Sequence, residues 1–355
     1  MIEVVNQQVT AAPDGTELGR RAWLVILYNG KDISEDISKY WLSFSYTDNL
    51  SGTADDVDLT LEDRQEIWRS DWFPDLTARL KIDIHMFHWK SLEEGEAKYE
   101  VGEFEIDEIE CTGVPSTTQI KAVSVGFEGP LRNDKKNRTW EDVTVQAIAG
   151  DIAGECGLSL EYQAEENPTI DHIEQSDKGD LEFLQKLTGD HGLSLKVEPT
   201  KLIIFDEAQL ESQAAQITIK TPEEYPILSY SLKAKTRDIY TKAHVRYHKD
   251  KDKEVIEGEF EDSSVKTGKT LEVDAQVEDQ GEAERLAKKK LREANKDAVT
   301  ATFNVMGDFS FAAGVIVQIE GYGAFDGKYI ITRSTHHLGA TYTTSMEMRK
   351  CLNGY

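Results

Sequence analysis

Basic residues are scarce in this chain of 355: 40 lysines and arginines stand against 66 acids, a formal net charge of -26. That balance argues against wrapping nucleic acid, which needs a basic face to displace counterions. It argues equally against docking on anionic lipid. It suits a surface that repels DNA, or one that meets a basic protein partner. Cysteine is scarce too. Cys111, Cys156 and Cys351 form no CxxC pair, so neither a disulfide framework nor a structural zinc is expected, and folding is expected in a reducing, intracellular setting. The longest apolar run, "AWLVILY" at 22–28, is far short of the ~20 residues that span a bilayer, which predicts a soluble chain. The opening "MIEVVNQQVTAAPDGT" has no basic n-region and no apolar h-region, and reads as no signal peptide. GxSxG, GxxxxGK[ST] and HExxH motifs are missing, and "GYGAFDG" has the wrong spacing for a dinucleotide fingerprint. No cofactor is expected.

What is present is a folded chain, 39% hydrophobic. Its first 130 residues alternate. In "DVDLTLE", Val57, Leu59 and Leu61 alternate with polar neighbours. In "LKIDIHM", Leu80, Ile82, Ile84 and Met86 do so, and in "EFEID", Phe104 and Ile106. Period two is the mark of half-buried strands. The period then changes: Val145, Ile148, Ala149, Ile152, Ala153 and Cys156 share one helical face. Thr139 with Asp142 is expected to cap that helix and Gly157 to stop it. The unit recurs, with Leu181, Leu184 and Leu187 on a second helix and a stop at Gly192. "GLSL" follows each helix, at 157–160 and 192–195. From about residue 220 strands return with one helix, striped by Ala283, Leu286, Ala287, Leu291 and Ala294 and capped by Asp279 with Glu282.

The two strand-rich regions match in order. "DVDLTLEDR" corresponds to "DAVTATFNVMGD", "LTARLKIDIHMF" to "FAAGVIVQIEGY", and "VGEFEIDEIECTGVPSTTQIKA" to "FDGKYIITRSTHHLGATYTTSMEM". Gly102 aligns with Gly327, Phe104 with Tyr329 and Ile106 with Ile331, while Thr117–Thr118 meets Thr343–Thr344 offset by one. The fold class expected is therefore mainly β with an α+β insert. Two similar small β-barrel domains, 1–130 and 220–355 (helix at about 280–296), flank a module at 131–219 built on two helix–Gly–strand units. His336 and His337 replace Cys111 and Thr112 of the first copy, close to a turn, and should point to opposite faces. They are expected at partly exposed positions, dispensable to within roughly 1 kcal/mol. His85 and His88 likewise face apart on a strand and make no metal pair. "DKDKEVIEGEFE" from Asp250 is a poor calcium loop, with Val255 where the sharp turn wants glycine. Arg132, Lys135, Lys136 and Arg138 form a basic cluster. It reads as a solvated linker or as a docking point for an acidic partner surface.

Three stretches resemble the phage late-control D family, the baseplate hub proteins of contractile tails. They are "YNGKDISEDISKYWLSFSYTDNLSGTADDVDLTLED", "SDKGDLEFLQKLTGDHGLSLKVEPTKLIIFDEA" and "FDGKYIITRSTHHLGATYTTSMEM". Related hubs form the base of type VI secretion spikes and R-type bacteriocin particles. The resemblance covers nearly the whole chain and rests on order and spacing. It implies a non-enzymatic assembly protein: a homotrimeric ring whose six barrels meet a hexameric tail tube or tube-initiator protein. The chain ends at "CLNGY", so the central spike is expected to be a separate protein; a tape-measure protein and a baseplate wedge are further expected partners. Assembly in the bacterial host cytoplasm, and a place in a virion or bacteriocin particle, follow. The name of the family suggests gene regulation, but the acidic chain offers no element for reading DNA. In such a ring Glu103, Glu105 and Asp107 are candidates to line the channel, opposite Phe104 and Ile106. The rival readings are a hydrolase of cell-wall glycan and a glycan- or peptide-binding module. A duplicated barrel argues against them, because an enzyme needs one asymmetric site.

Overall fold

The computed structural model describes residues 19–91, 93–124, 131, 134–249, 254–277 and 279–355. Seven strands form the first region: β1 (Arg21–Tyr28), β2 (Lys31–Asp32), β3 (Trp41–Asn49), β4 (Asp56–Glu62), β5 (Arg79–Phe87), β6 (Glu96–Thr112) and β7 (Thr117–Ser124). A short helix, α1 (Ser34–Ser38), follows β2. The alternating apolar residues all turn inward. Phe44, Leu59, Leu61, Ile82, Ile84, Phe104 and Ile106 form one core, and burying each such side chain contributes about 1.5–3 kcal/mol.

The middle module contains β8 (Lys136–Thr144), α2 (Val145–Glu155), β9 (Ser159–Gln163), β10 (Thr169–Lys178), α3 (Asp180–Asp190), β11 (Ser194–Glu198), β12 (Lys201–Phe205) and α4 (Glu207–Ser212). The repeated unit is larger than periodicity suggested. Each helix is preceded by a polar strand, and these two, β8 and β10, pair antiparallel. The strand after each helix, β9 or β11, flanks β12. The cap of α2 is Thr144, whose hydroxyl accepts from the Ala147 amide, and not Thr139 with Asp142. Those two lie in β8, which has no apolar alternation to betray it and is held by its partner strand. Gly157 and Gly192 end the helices with φ of +71° and +68°, left-handed values that favour glycine.

The last region holds β13 (Ile217–Ile219), β14 (Ile227–Ala234), β15 (Tyr240–Lys249), β16 (Glu254–Glu261), β17 (Lys269–Asp274), α5 (Gln280–Asn295), β18 (Val299–Met306), β19 (Ile316–Ile319), β20 (Gly327–Leu338) and β21 (Tyr342–Lys350). β15, β16 and β17 make a separate three-stranded sheet. With α5 they enclose their own core around Ala243, Val245, Ala283, Ala287 and Leu291. Gly258 of β16 lies flat on the backbone of Ala283 and Glu284, where any side chain would collide. Asp279 caps α5 by accepting from the Glu282 amide. Each repeat keeps a core of its own, the second around Phe303, Tyr329, Ile331 and Met346. Hydrogen bonding runs through both as one 13-stranded sheet, in the order β14-β18-β21-β20-β3-β4-β7-β6-β5-β1-β2, with β13 and β19 attached at the side.

The repeat is visible in the register. β4–β7 pairs Leu59 with Ile120, and β18–β21 pairs Phe303 with Met346. The β6–β7 ladder carries a bulge after Ile106, and the β20–β21 ladder carries one after Ile331. The β3–β4 and β14–β18 ladders also share an irregularity, after Trp41 and after Ile227. Gly102 and Gly327 have φ of +134° and +139°, a conformation open to glycine and strained for any other residue. These shared defects make the duplication structural as well as sequential.

Candidate functional site

Three internal junctions are built from buried polar groups. The first joins the two repeats. β20 lies antiparallel to β3, with His336 opposite Tyr46 and Leu338 opposite Phe44. The two adjacent histidines do face opposite ways, but only His337 is exposed; His336 is 2% exposed. β3, a distant segment in sequence, covers it, which alternation alone could not reveal. Its Nδ1 lies 2.9 Å from the Tyr342 hydroxyl and 3.1 Å from Thr344 Oγ1. Its ring stacks on Phe309 at 4.4 Å and on Tyr46 at 5.9 Å. Burial drives its pKa down to about 3, with Asp308 opposing weakly, so the imidazole is neutral and structural.

The second junction ties the module to both repeats. Lys196 of β11 donates to Asp48 Oδ1 at 2.8 Å and to the Asn49 carbonyl at 2.9 Å, and it lies 3.4 Å from Asp55. Asp48 also accepts from the Ala313 amide, and Asn49 Oδ1 accepts from Arg333 Nε. Burial pushes the Asp55 carboxyl up to about 6, although Lys196 opposes this. Burial works against the Lys196 ammonium, but the two carboxylates outweigh it and hold its pKa above the usual value. The third junction is Glu207 and Glu211 of α4 against Arg349 of β21 and Arg292 of α5. Burial opposes the Glu207 charge, yet Arg349 and Lys296 bring its pKa down to about 2. The sequence marks none of the charged residues of the second and third junctions. Lys196 sits on the polar side of an ordinary alternation, and nothing local says that side is covered.

The basic cluster is engaged inside the module. Arg138 contacts both Asp180, which is fully buried, and Glu155, while Lys136 lies 2.8 Å from each. Lys135 pairs with Asp177 at 3.1 Å. Arg132 lies outside the described residues. Lys136 and Arg138 thus compensate the buried Asp180 at the start of α3, which leaves Lys135, in an exposed pair, as the described member most open to solvent. Glu103 and Asp107 are exposed. Glu105 is half-buried and pairs with Arg79 at 2.8 Å. Together with Glu108 and Glu110 they stand on the side of β6 away from the core. Asp250 and Asp252 of the calcium-like stretch lie outside the described residues. Among the described residues no three His, Cys, Asp or Glu side chains are placed to share a metal, and no helix is long and apolar enough to cross a membrane.

The fold is similar to that of tail proteins of known structure. The 43 kDa tail protein of a Shewanella oneidensis prophage superposes with a TM-score of 0.70 at 13% identity, over 92% of this chain and 98% of that one. A tail protein of Neisseria meningitidis does so with 0.68 at 15% identity, over 93% and 96%. In sequence, the "probable baseplate hub protein" of Escherichia phage 186 is 30% identical over 192 residues, 54% of this chain and 46% of that protein. The matched stretch thus spans about half the length of this curated relative. The family model of the phage tail baseplate hub (GPD) matches residues 130–342. The chain belongs to that family.

Proposed function

We propose that three copies of this chain form a closed ring that adapts a hexameric tail tube to a trimeric spike. The observation that carries the proposal is the duplication: two repeats per chain, joined edge to edge through β20 and β3, give six like units in a trimer. The partners are the tube or tube-initiator protein on one side and a trimeric spike on the other, with the tape-measure protein and a baseplate wedge beyond. The ring assembles in the host cytoplasm and stays in the particle, phage tail or bacteriocin. The chain acts by holding parts together and not as an enzyme; the duplication, which gives like units in place of one asymmetric site, favours this over the hydrolase and glycan-binding readings. The units are the two repeats, at 1–130 and 220–355, and the module at 131–219.

The channel is lined by the polar side of the continuous sheet. That side is rich in Ser45, Thr47, Thr302, Thr335 and Ser345 in its middle strands, and in Glu103, Glu105, Asp107, Glu108 and Glu110 on β6. Where β6 has Glu103 and Glu105, β20 has Lys328, which donates to the carbonyls of Glu211 and Gln213, and Ile330, which is fully buried, so the module covers that stretch of β20 and the acidic lining comes from alternate units. An acidic wall of this kind repels DNA and keeps a passing polymer from sticking. Native mass spectrometry tests the ring: about 120 kDa is expected, three times the 40.0 kDa chain, alone or with the spike. A strict monomer in the presence of the spike protein overturns it.

A further inference from the structure

The duplicated register identifies which strands meet between copies. In the chain, the outer half of β20 pairs with β3, from Arg333 opposite Asn49 to Leu338 opposite Phe44. The counterpart of β20 is β6, and the counterpart of β3 is β14. The matched ladders equate Gly327 with Gly102 and Ile331 with Ile106, and across the shared bulge Arg333 with Glu108 and His336 with Cys111. Likewise Phe44, paired with Leu59, equates with Tyr230, paired with Phe303. Both counterparts present an open edge. β5 pairs with β6 only as far as Glu105, and among the described residues β14 has β18 as its one strand partner.

Burial tells the same story. Phe44 and Tyr46 are covered, at 0% and 5% exposed, whereas Tyr230, the counterpart of Phe44, is 50% exposed. Ser334, His336 and Leu338 are buried, whereas Ile109 is half-buried and Cys111 and Gly113 are exposed. Even the local bonding is alike: Cys111 Sγ lies 3.3 Å from Thr118 Oγ1, as His336 Nδ1 lies 3.1 Å from Thr344 Oγ1. Two sets of residues that one junction covers are thus left uncovered at the other.

We propose that the outer half of β6 in one copy pairs antiparallel with β14 of the next copy, in the register of the β20–β3 junction. That register places Cys111 opposite Leu232, Glu110 opposite Lys233 and Glu108 opposite Lys235. The charges are complementary: Glu110 meets Lys233, and Glu108, which also pairs with Lys121 of its own chain at 2.8 Å, meets Lys235 where the internal junction has the Arg333–Asn49 hydrogen bond. Each edge alone carries like charges and so resists pairing with itself, which favours head-to-tail contact and a ring over an open pair. The bulge at Asp107 turns the β6 edge away from β5 just where the new partner begins. The inference rests on the ring reading above and supplies its contact.

The test uses the full chain and its native Cys111. With Leu232→Cys, mild oxidation should link the two thiols between copies, giving reducible dimers and then trimers on a denaturing gel. The band should vanish when Cys111→Ser is added. Lys233→Cys, whose side chain faces the other side of the sheet, should give at least about tenfold less cross-linking. Separately, Glu110→Lys should weaken association at least about tenfold, and Lys233→Glu in the same chain should restore it. A trimer by native mass whose 232 thiol never links to Cys111, or whose charge reversal is not rescued, overturns this register and leaves the ring reading standing. A chain that stays single even with the spike overturns both.

Discussion

Lowering the pH should loosen the seam between the two repeats through one residue. His336 is neutral in the folded protein because burial holds its pKa near 3, while in the unfolded chain it has the ordinary value near 6.5. Between those values the unfolded state binds more protons. The stability that His336 contributes is therefore fully present above about pH 6.5 and is lost as pH falls towards 3. The loss is 1.36 kcal/mol per unit, so going from pH 7.5 to 5.0 costs about 2 kcal/mol from this residue alone. Other groups titrate in the same window, Asp55 among them and with the opposite sign, because its carboxyl is raised to about 6. A difference of differences removes them. Urea unfolding of the native protein and of His336→Gln would be followed at both pH values by the fluorescence of Trp89, which lies 5.3 Å from Tyr342 beside the imidazole. At pH 7.5 the variant should be less stable by about 1–3 kcal/mol, for the lost stacking and hydrogen bonds. Between the two pH values it should lose about 2 kcal/mol less than the native protein. An equal pH dependence in both proteins would refute the reasoning, because it would mean that His336 titrates as an exposed imidazole and that β3 does not cover it.

Two further outcomes follow from the junctions and the repeat. Lys196→Met leaves Asp48 and Asp55 facing each other without their cation, and should cost roughly 3–5 kcal/mol at the module contact; protease should then cut between module and repeats sooner, and an unchanged cleavage rate would contradict the contact. Gly327→Ala forces an L residue to φ of +139° beside Lys350, and should cost roughly 1–3 kcal/mol. The parallel change Gly102→Ala should cost a similar amount, read as matched falls in melting temperature.

The sequence by itself determined most of the local structure. Alternation placed the strands carrying Leu59, Ile84, Phe104 and Phe303, and helical spacing placed α2, α3 and α5, because those periods report which side of each segment meets a core. The order of the matched blocks gave the duplication. Three matters were decided only by the tertiary structure. β8 has no apolar period and exists because β10 pairs with it. β15 to β17 leave the main sheet because α5 gives them a core of their own, with Gly258 admitting the close approach. His336, Lys196 and Arg349 stand on faces that look polar in the sequence, and they are buried because β3 (over His336 and Lys196) and α4 (over Arg349) arrive from far along the chain to cover them. A segment's own pattern shows which of its sides can face water. Whether that side does so depends on a long-range partner, and no spacing within the segment encodes that partner.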